Sequence, residues 1–158
     1  MMQLSQTLSD CQTTICMAPP SLIHAQRLAR LFTPTYAQCI NAQLVHPAPS
    51  QVVKPNELSS ALARPLQVAH YEPERSPAYL AATLSYGLIK GHPFLDGNKR
   101  TAFFLANEYL RAHGLPGLVE EKVKLSYTEL TAVADQYIGV ASGRLPLDAL
   151  LRRTLRKE

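Results

Sequence analysis

Apolar residues recur along most of this chain at spacings of three and four, the mark of helices that bury one face. The first such stretch opens at Ser21, a residue suited to capping a helix N-terminus. Leu22, Ile23, Leu28 and Leu31 form its apolar face, and Pro34 bounds it. Tyr36–Leu44 gives a second short helix, and His46–Pro55, with three prolines, predicts a loop. Asn56 caps a helix through Ala63, with Pro65 as its stop. Leu66–Tyr71 is the one candidate for a strand or hairpin arm. Ser76 and Pro77 supply a cap and a first-turn proline for the next helix. The body of that helix, Tyr79–Ile89, is apolar nearly all round, so it is expected at the centre of the fold. Thr101–His113 is helical again and ends at Gly114–Gly117. Ser126 and Glu129 make a capping box for a helix reaching about Ala141. After a break at Gly143–Pro146, Leu147–Arg156 reads as a last helix. The predicted fold class is all-α: a helical bundle around one buried helix, with a short β-hairpin as its one strand feature.

At 158 residues, 46% of them apolar, the chain can bury a real core as one domain. Met1–Pro20 is polar and rich in Ser, Thr and Gln, so the expected organisation is a flexible leader over 1–20 and one domain over 21–158. The net charge of +4 is mild, and part of it sits in Arg152, Arg153, Arg156 and Lys157, where cations complement a helix C-terminus. Basic residues interleaved with aromatics through the body are missing, which argues against a nucleic-acid surface. Cys11, Cys16 and Cys39 have no metal-ligand spacing and are odd in number, which suits a reducing compartment. No apolar run approaches the roughly 20 residues of a membrane span. The N-terminus lacks the basic and apolar regions of a secretory signal, so a cytoplasmic location is expected.

The candidate chemistry lies between the two central helices, in His92–Ala102, HPFLDGNKRTA. An imidazole, a carboxylate, an amide, a lysine and an arginine fall within nine positions around one glycine. The last of these residues open a helix, whose unpaired N–H groups and positive dipole end suit an anion such as phosphate. Lys99 and Arg100 add formal positive charge. Asp96 makes chemical sense beside a phosphate if a divalent cation lies between them. Each residue alone has an ordinary reading. His92 would be a structural helix-end histidine, Asp96-Gly97-Asn98 a turn, and Lys99–Arg100 solvated surface. Phe94 is a core anchor that pins the loop. Their co-occurrence in one junction is what points to a site.

This stretch resembles the signature of the Fic/Doc (Fido) superfamily, H-x-F-x-[D/E]-[G/A]-N-x-R, at every defined position. Lys99 and the following Thr101-Ala102 are similar to the death-on-curing (Doc) branch, whereas AMP-transferring Fic proteins usually carry glycine where Lys99 stands. Glu57–Pro65 is similar to an L-x-x-A-L-x-R-P segment typical of that branch, so the resemblance covers roughly Lys54–Gly114. It implies a Fic/Doc-like bundle that uses ATP and Mg²⁺. By the same resemblance, His92 is the general base that takes the proton of a target hydroxyl, and Asp96 a ligand of the Mg²⁺. Gly97 and Asn98 form the anion hole, Arg100 holds a phosphate and offsets transition-state charge, and Lys99 makes a second phosphate contact. Related proteins align their target by strand pairing on a hairpin flap, and Leu66, Gln67, Val68, Ala69, His70 and Tyr71 occupy the matching place.

The Doc-like branch implies a protein kinase that moves the ATP γ-phosphate to a Ser or Thr hydroxyl, with a translation elongation factor as candidate target. The alternative is adenylylation (AMPylation) through the same His92, and the less favoured one a catalytically silent binding module. Many Fic proteins restrain themselves with an [S/T]-x-x-x-E-[G/N] helix, a pattern this sequence lacks. The resemblance therefore predicts an inhibitory antitoxin acting in trans, as for toxins of the Doc branch.

Overall fold

A computed structural model describes residues 20–118 and 127–151. The order of elements is α1 (Pro20–Leu31), α2 (Pro34–Val45), α3 (Pro55–Tyr71), α4 (Pro77–Gly91), α5 (Asn98–Ala112), α6 (Tyr127–Ala141) and a single 3₁₀ turn at Leu147–Leu150. Four helices start on prolines, whose fixed φ and missing N–H suit the first turn. The Thr33 hydroxyl caps α2 by accepting from Tyr36 N–H at 3.2 Å, and Ser76 caps α4 by accepting from Tyr79 N–H at 3.3 Å. The leader up to residue 19, the Ser126 cap and the basic tail lie outside the described residues, while Pro20, expected to end the leader, opens α1.

Helix α4 is the axis of the bundle. Leu80, Leu84, Leu88 and Ile89 are at most 1% exposed, and α3 and α5 pack on either side of it. Two glycines let α3 come close, because a Cβ on Gly87 would lie 2.9 Å from that of Ala61, and one on Gly91 3.2 Å from that of Glu57. Glu57 thus lies beside Gly91 and Ala61 beside Gly87, so α3 and α4 run antiparallel. One polar link crosses this core. Ser85 donates to the carbonyl of Ala102 at 2.9 Å and lies 3.2 Å from the Tyr137 hydroxyl, tying α4 to α5 and α6. Burial pushes the Tyr137 pKa up to about 12, against a smaller lowering by its hydrogen bond with Ser85, so the link stays neutral.

The expected strand at Leu66–Tyr71 is helix. Helix α3 does not stop at Ala63 but runs through Pro65 to Tyr71. An interior proline costs a helix about 3 kcal/mol by removing one hydrogen bond and crowding the preceding turn. Here Leu58, Ala61, Leu62, Pro65 and Ala69 are all buried along one face, so the proline ring is itself part of the face that packs. The apolar stripe therefore continues with helical spacing across the residue that should end it. Extended pairing occurs elsewhere, in the loop between α2 and α3, where Val52 forms an antiparallel bridge with Phe94. No helix among the described residues is long and apolar enough to cross a membrane.

Candidate active site

The end of α4 sets the position of the first chemical group. After Gly91 the backbone turns into the left-handed region at His92, with φ 47° and ψ 57°. Among the described residues His92 is the one non-glycine with a positive φ, a conformation that costs an L-residue energy and concentrates at functional positions. The turn closes the helix by returning the His92 N–H to the Leu88 carbonyl at 3.2 Å, while Lys54 donates to the Gly91 carbonyl at 3.3 Å. Its imidazole is left exposed.

The loop that follows is held from two directions. On one side it pairs with the α2–α3 segment: Val53 N–H donates to the Pro93 carbonyl at 2.8 Å, and Leu95 N–H to the Gln51 carbonyl at 2.9 Å. On the other side Phe94, 2% exposed, is driven into the core, and the Asn98 side chain clasps its backbone. Asn98 accepts from Phe94 N–H at 2.9 Å and donates to the Phe94 carbonyl at 2.7 Å. With both polar ends so engaged, the Asn98 amide braces the loop, and only its backbone remains for an anion.

Asp96 and Gly97 sit where the loop passes α2. Asn41, 1% exposed, donates to the Asp96 carbonyl at 2.9 Å and to the Thr101 hydroxyl at 3.1 Å, and it accepts from the Ser50 hydroxyl at 2.6 Å. That one side chain joins α2, the α2–α3 loop, the junction and α5. Gly97 has φ 79°, and a Cβ there would lie 2.6 Å from Val45 Cγ1 and 2.7 Å from Asn41 Nδ2, so glycine is required both by backbone and by space. Its N–H points at the Asp96 carboxylate. Helix α5 then begins at Asn98, and helix geometry leaves the N–H groups of Asn98, Lys99 and Arg100 without intrahelical acceptors.

Arg100 donates from Nη1 to the Leu44 carbonyl at 2.6 Å and from Nη2 to Asp96 Oδ2 at 3.0 Å. The two side chains are 54% and 70% exposed, so this ion pair is worth about 0–1 kcal/mol and a bound ligand can displace it. Lys99 is exposed and has no hydrogen bond or ion pair among the described residues. Two cations and three free backbone donors thus face the same helix end, with a carboxylate one turn before and an imidazole at the end of the preceding helix. This donor set fits nucleotide phosphates. Asp96 alone is a sparse protein site for a metal. It suits Mg²⁺, which keeps most of its water and takes further oxygens from phosphate.

The structure therefore brings together His92, Asp96, Gly97, Asn98, Lys99 and Arg100. It leaves the Leu66–Tyr71 segment out. Because α3 is antiparallel to α4, that segment runs toward the far end of the bundle, from about 14 Å at Leu66 to about 21 Å at Tyr71 along the axis from Glu57 and Gly91. Asn41, Ser50 and the Leu44 carbonyl had escaped the sequence reading. A polar, weakly helix-forming Asn between Ile40 and Leu44 was the available signal for the first of them.

A family model described as the Fic/DOC family matches residues 24–110, more than half of the chain, from α1 nearly to the end of α5. No curated protein matches the chain.

Proposed function

Because the chain belongs to the Fic/DOC family, we propose that it is an ATP- and Mg²⁺-dependent protein kinase of the Doc-like kind. The transfer moves the γ-phosphoryl group to a Ser or Thr hydroxyl of a partner protein, with a translation elongation factor as candidate. The observation that carries the choice of phosphate over AMP is Lys99, a second cation directly beside Arg100 at the α5 N-terminus and itself without an ion pair among the described residues.

The residues divide the work as follows. His92, exposed at the end of α4, takes the proton from the attacking hydroxyl. Arg100 releases Asp96 when phosphate arrives and offsets charge as the bond to the leaving oxygen breaks, with Lys99 on a further phosphate oxygen. The N–H groups at the start of α5 hold the phosphate in place. Asp96, freed from Arg100, would hold Mg²⁺, and the ion supplies charge neutralisation between phosphates when bound. For the target chain, the Val52–Phe94 bridge is the natural register. Antiparallel geometry turns the N–H and carbonyl of Val52 away from the junction, which leaves an edge for an incoming strand close to His92. An inhibitory partner acting in trans fits the absence of the self-inhibitory motif from the sequence.

Incubation with ATP, Mg²⁺ and an elongation factor, followed by intact-mass measurement, tests the reading. A gain of one phosphoryl group supports it, and a gain of AMP overturns it in favour of adenylylation. His92→Ala should abolish either product, while Lys99→Gly should change the ratio of the two. An unchanged product profile in Lys99→Gly would remove the weight placed on that lysine.

A further inference from the structure

The Arg64–Pro65 pair takes no part in the junction, yet Arg64 is the most unusual cation among the described residues. Its Nε is buried and without a hydrogen-bond partner, and its guanidinium forms no ion pair there. An unpaired buried donor costs free energy, while Arg64 as a whole is half-buried, so the outer end of its guanidinium stays within reach of a ligand. The side chain is also given room. Its Cδ lies 2.9 Å from the point where a Cβ on Gly87 would sit, so the glycine of the central helix lets the arginine stem cross it.

Arg64 lines a cavity of about 350 Å³ between α3, α4 and the 3₁₀ turn. Ser60 and Gln67 from α3 and Tyr79, Thr83 and Tyr86 from α4 share its wall, and Val68 and Leu147 supply apolar surface. No carboxylate is among the described residues that line it. Arg75, stacked 4.3 Å over the Tyr79 ring, is already paired with Glu72 and does not compete for an anion. The volume is at the lower end of small-molecule sites. Tyr86 lies six residues before His92 on α4, about 9 Å along the helix axis, and on the Arg64 side of that helix. The cavity is therefore separate from the phosphate-binding junction.

We propose that this cavity is a second ligand site, for a small organic anion: a carboxylate or phosphate monoester on a compact apolar or aromatic body. The anionic group takes the outer N–H groups of the Arg64 guanidinium, the Ser60 and tyrosine hydroxyls and the Gln67 amide, and the body lies against the tyrosine rings, Val68 and Leu147. The reading does not rest on the kinase assignment.

The test titrates the full chain with benzoate, phenyl phosphate and the neutral benzyl alcohol, in the presence of saturating Mg·ATP to occupy the junction. It follows the Arg64 Nε–H and tyrosine ring signals by NMR. Saturable shifts with one or both anions are expected, and the stronger of the two identifies carboxylate or phosphate as the preferred group. Arg64→Gln should weaken that binding by about tenfold or more, equivalent to about 1.4 kcal/mol. If Arg64→Gln melts early, Arg64→Lys keeps the charge without the fork and should still bind less tightly than wild type. Equal binding of benzyl alcohol, unchanged affinity in the variant, or no saturable shift of the Arg64 signal with either anion would each overturn the proposal.

Discussion

His92 is held in a conformation its side chain does not favour, and replacing it separates strain from chemistry. In the left-handed region the Cβ crowds the following carbonyl, at a cost of roughly 1–2 kcal/mol for an L-residue. The imidazole is exposed and has no hydrogen bond or ion pair among the described residues, so its removal deletes no contact there. His92→Ala keeps the Cβ and the penalty, whereas His92→Gly removes both. Glycine's larger freedom in the unfolded chain takes back part of the gain. The net expectation is that His92→Gly is more stable than His92→Ala by about 1 kcal/mol. For a chain of this size that shifts the melting midpoint by about 2–4 °C. Thermal and urea melts of the two variants, without nucleotide, measure it. Both variants should also lose phosphoryl transfer by about 10²–10⁴-fold, as expected when a general base is deleted. Equal stability of the alanine and glycine proteins would refute the strain, and transfer surviving in His92→Gly would refute the base.

Other expectations follow from the same geometry. Asn98→Ala leaves the buried Phe94 N–H and carbonyl without partners and should cost about 2–4 kcal/mol in urea denaturation. A loss well below that would mean water replaces the clasp. Gly97→Ala drives a methyl group into Val45 and Asn41 at a positive φ, so about 2–3 kcal/mol of stability should go. ATP binding, read by calorimetry, should fall with it, and near-normal affinity would show that the tight turn does not shape the phosphate site. His113 titrates below the ordinary histidine range, first because burial disfavours its charge and then because His24 lies beside it. The unfolded chain therefore binds this proton more readily than the folded one. Its contribution is full above the ordinary value of 6.5 and is lost as pH falls from there through the folded pKa. Stability measured against pH should drop along that limb, less steeply in His113→Gln; identical slopes would assign the drop to other groups.

The sequence alone determined what local chemistry dictates. Ser76 and Pro77 marked the start of α4, an apolar surface nearly all round showed its burial, and the junction residues carried enough chemistry to suggest a phosphate site and, by resemblance, a family. Other features depended on surroundings that no local pattern contains. Pro65 reads as a helix stop, yet the buried face of α3 outweighs its cost, which turned an expected strand into helix and carried Leu66–Tyr71 away from the site. The strand pairing arose instead in a proline-rich loop, because Phe94 in the core brings the junction backbone alongside Val52. Asn41 and Thr101 are 60 positions apart and meet only once α2 packs beside α5. The strain at His92, the clasp of Asn98 and the Arg100–Asp96 pair likewise belong to a folded junction. Residue identity sets which groups are available, while their positions follow from burial between helices distant in sequence, and that part only the tertiary structure decided.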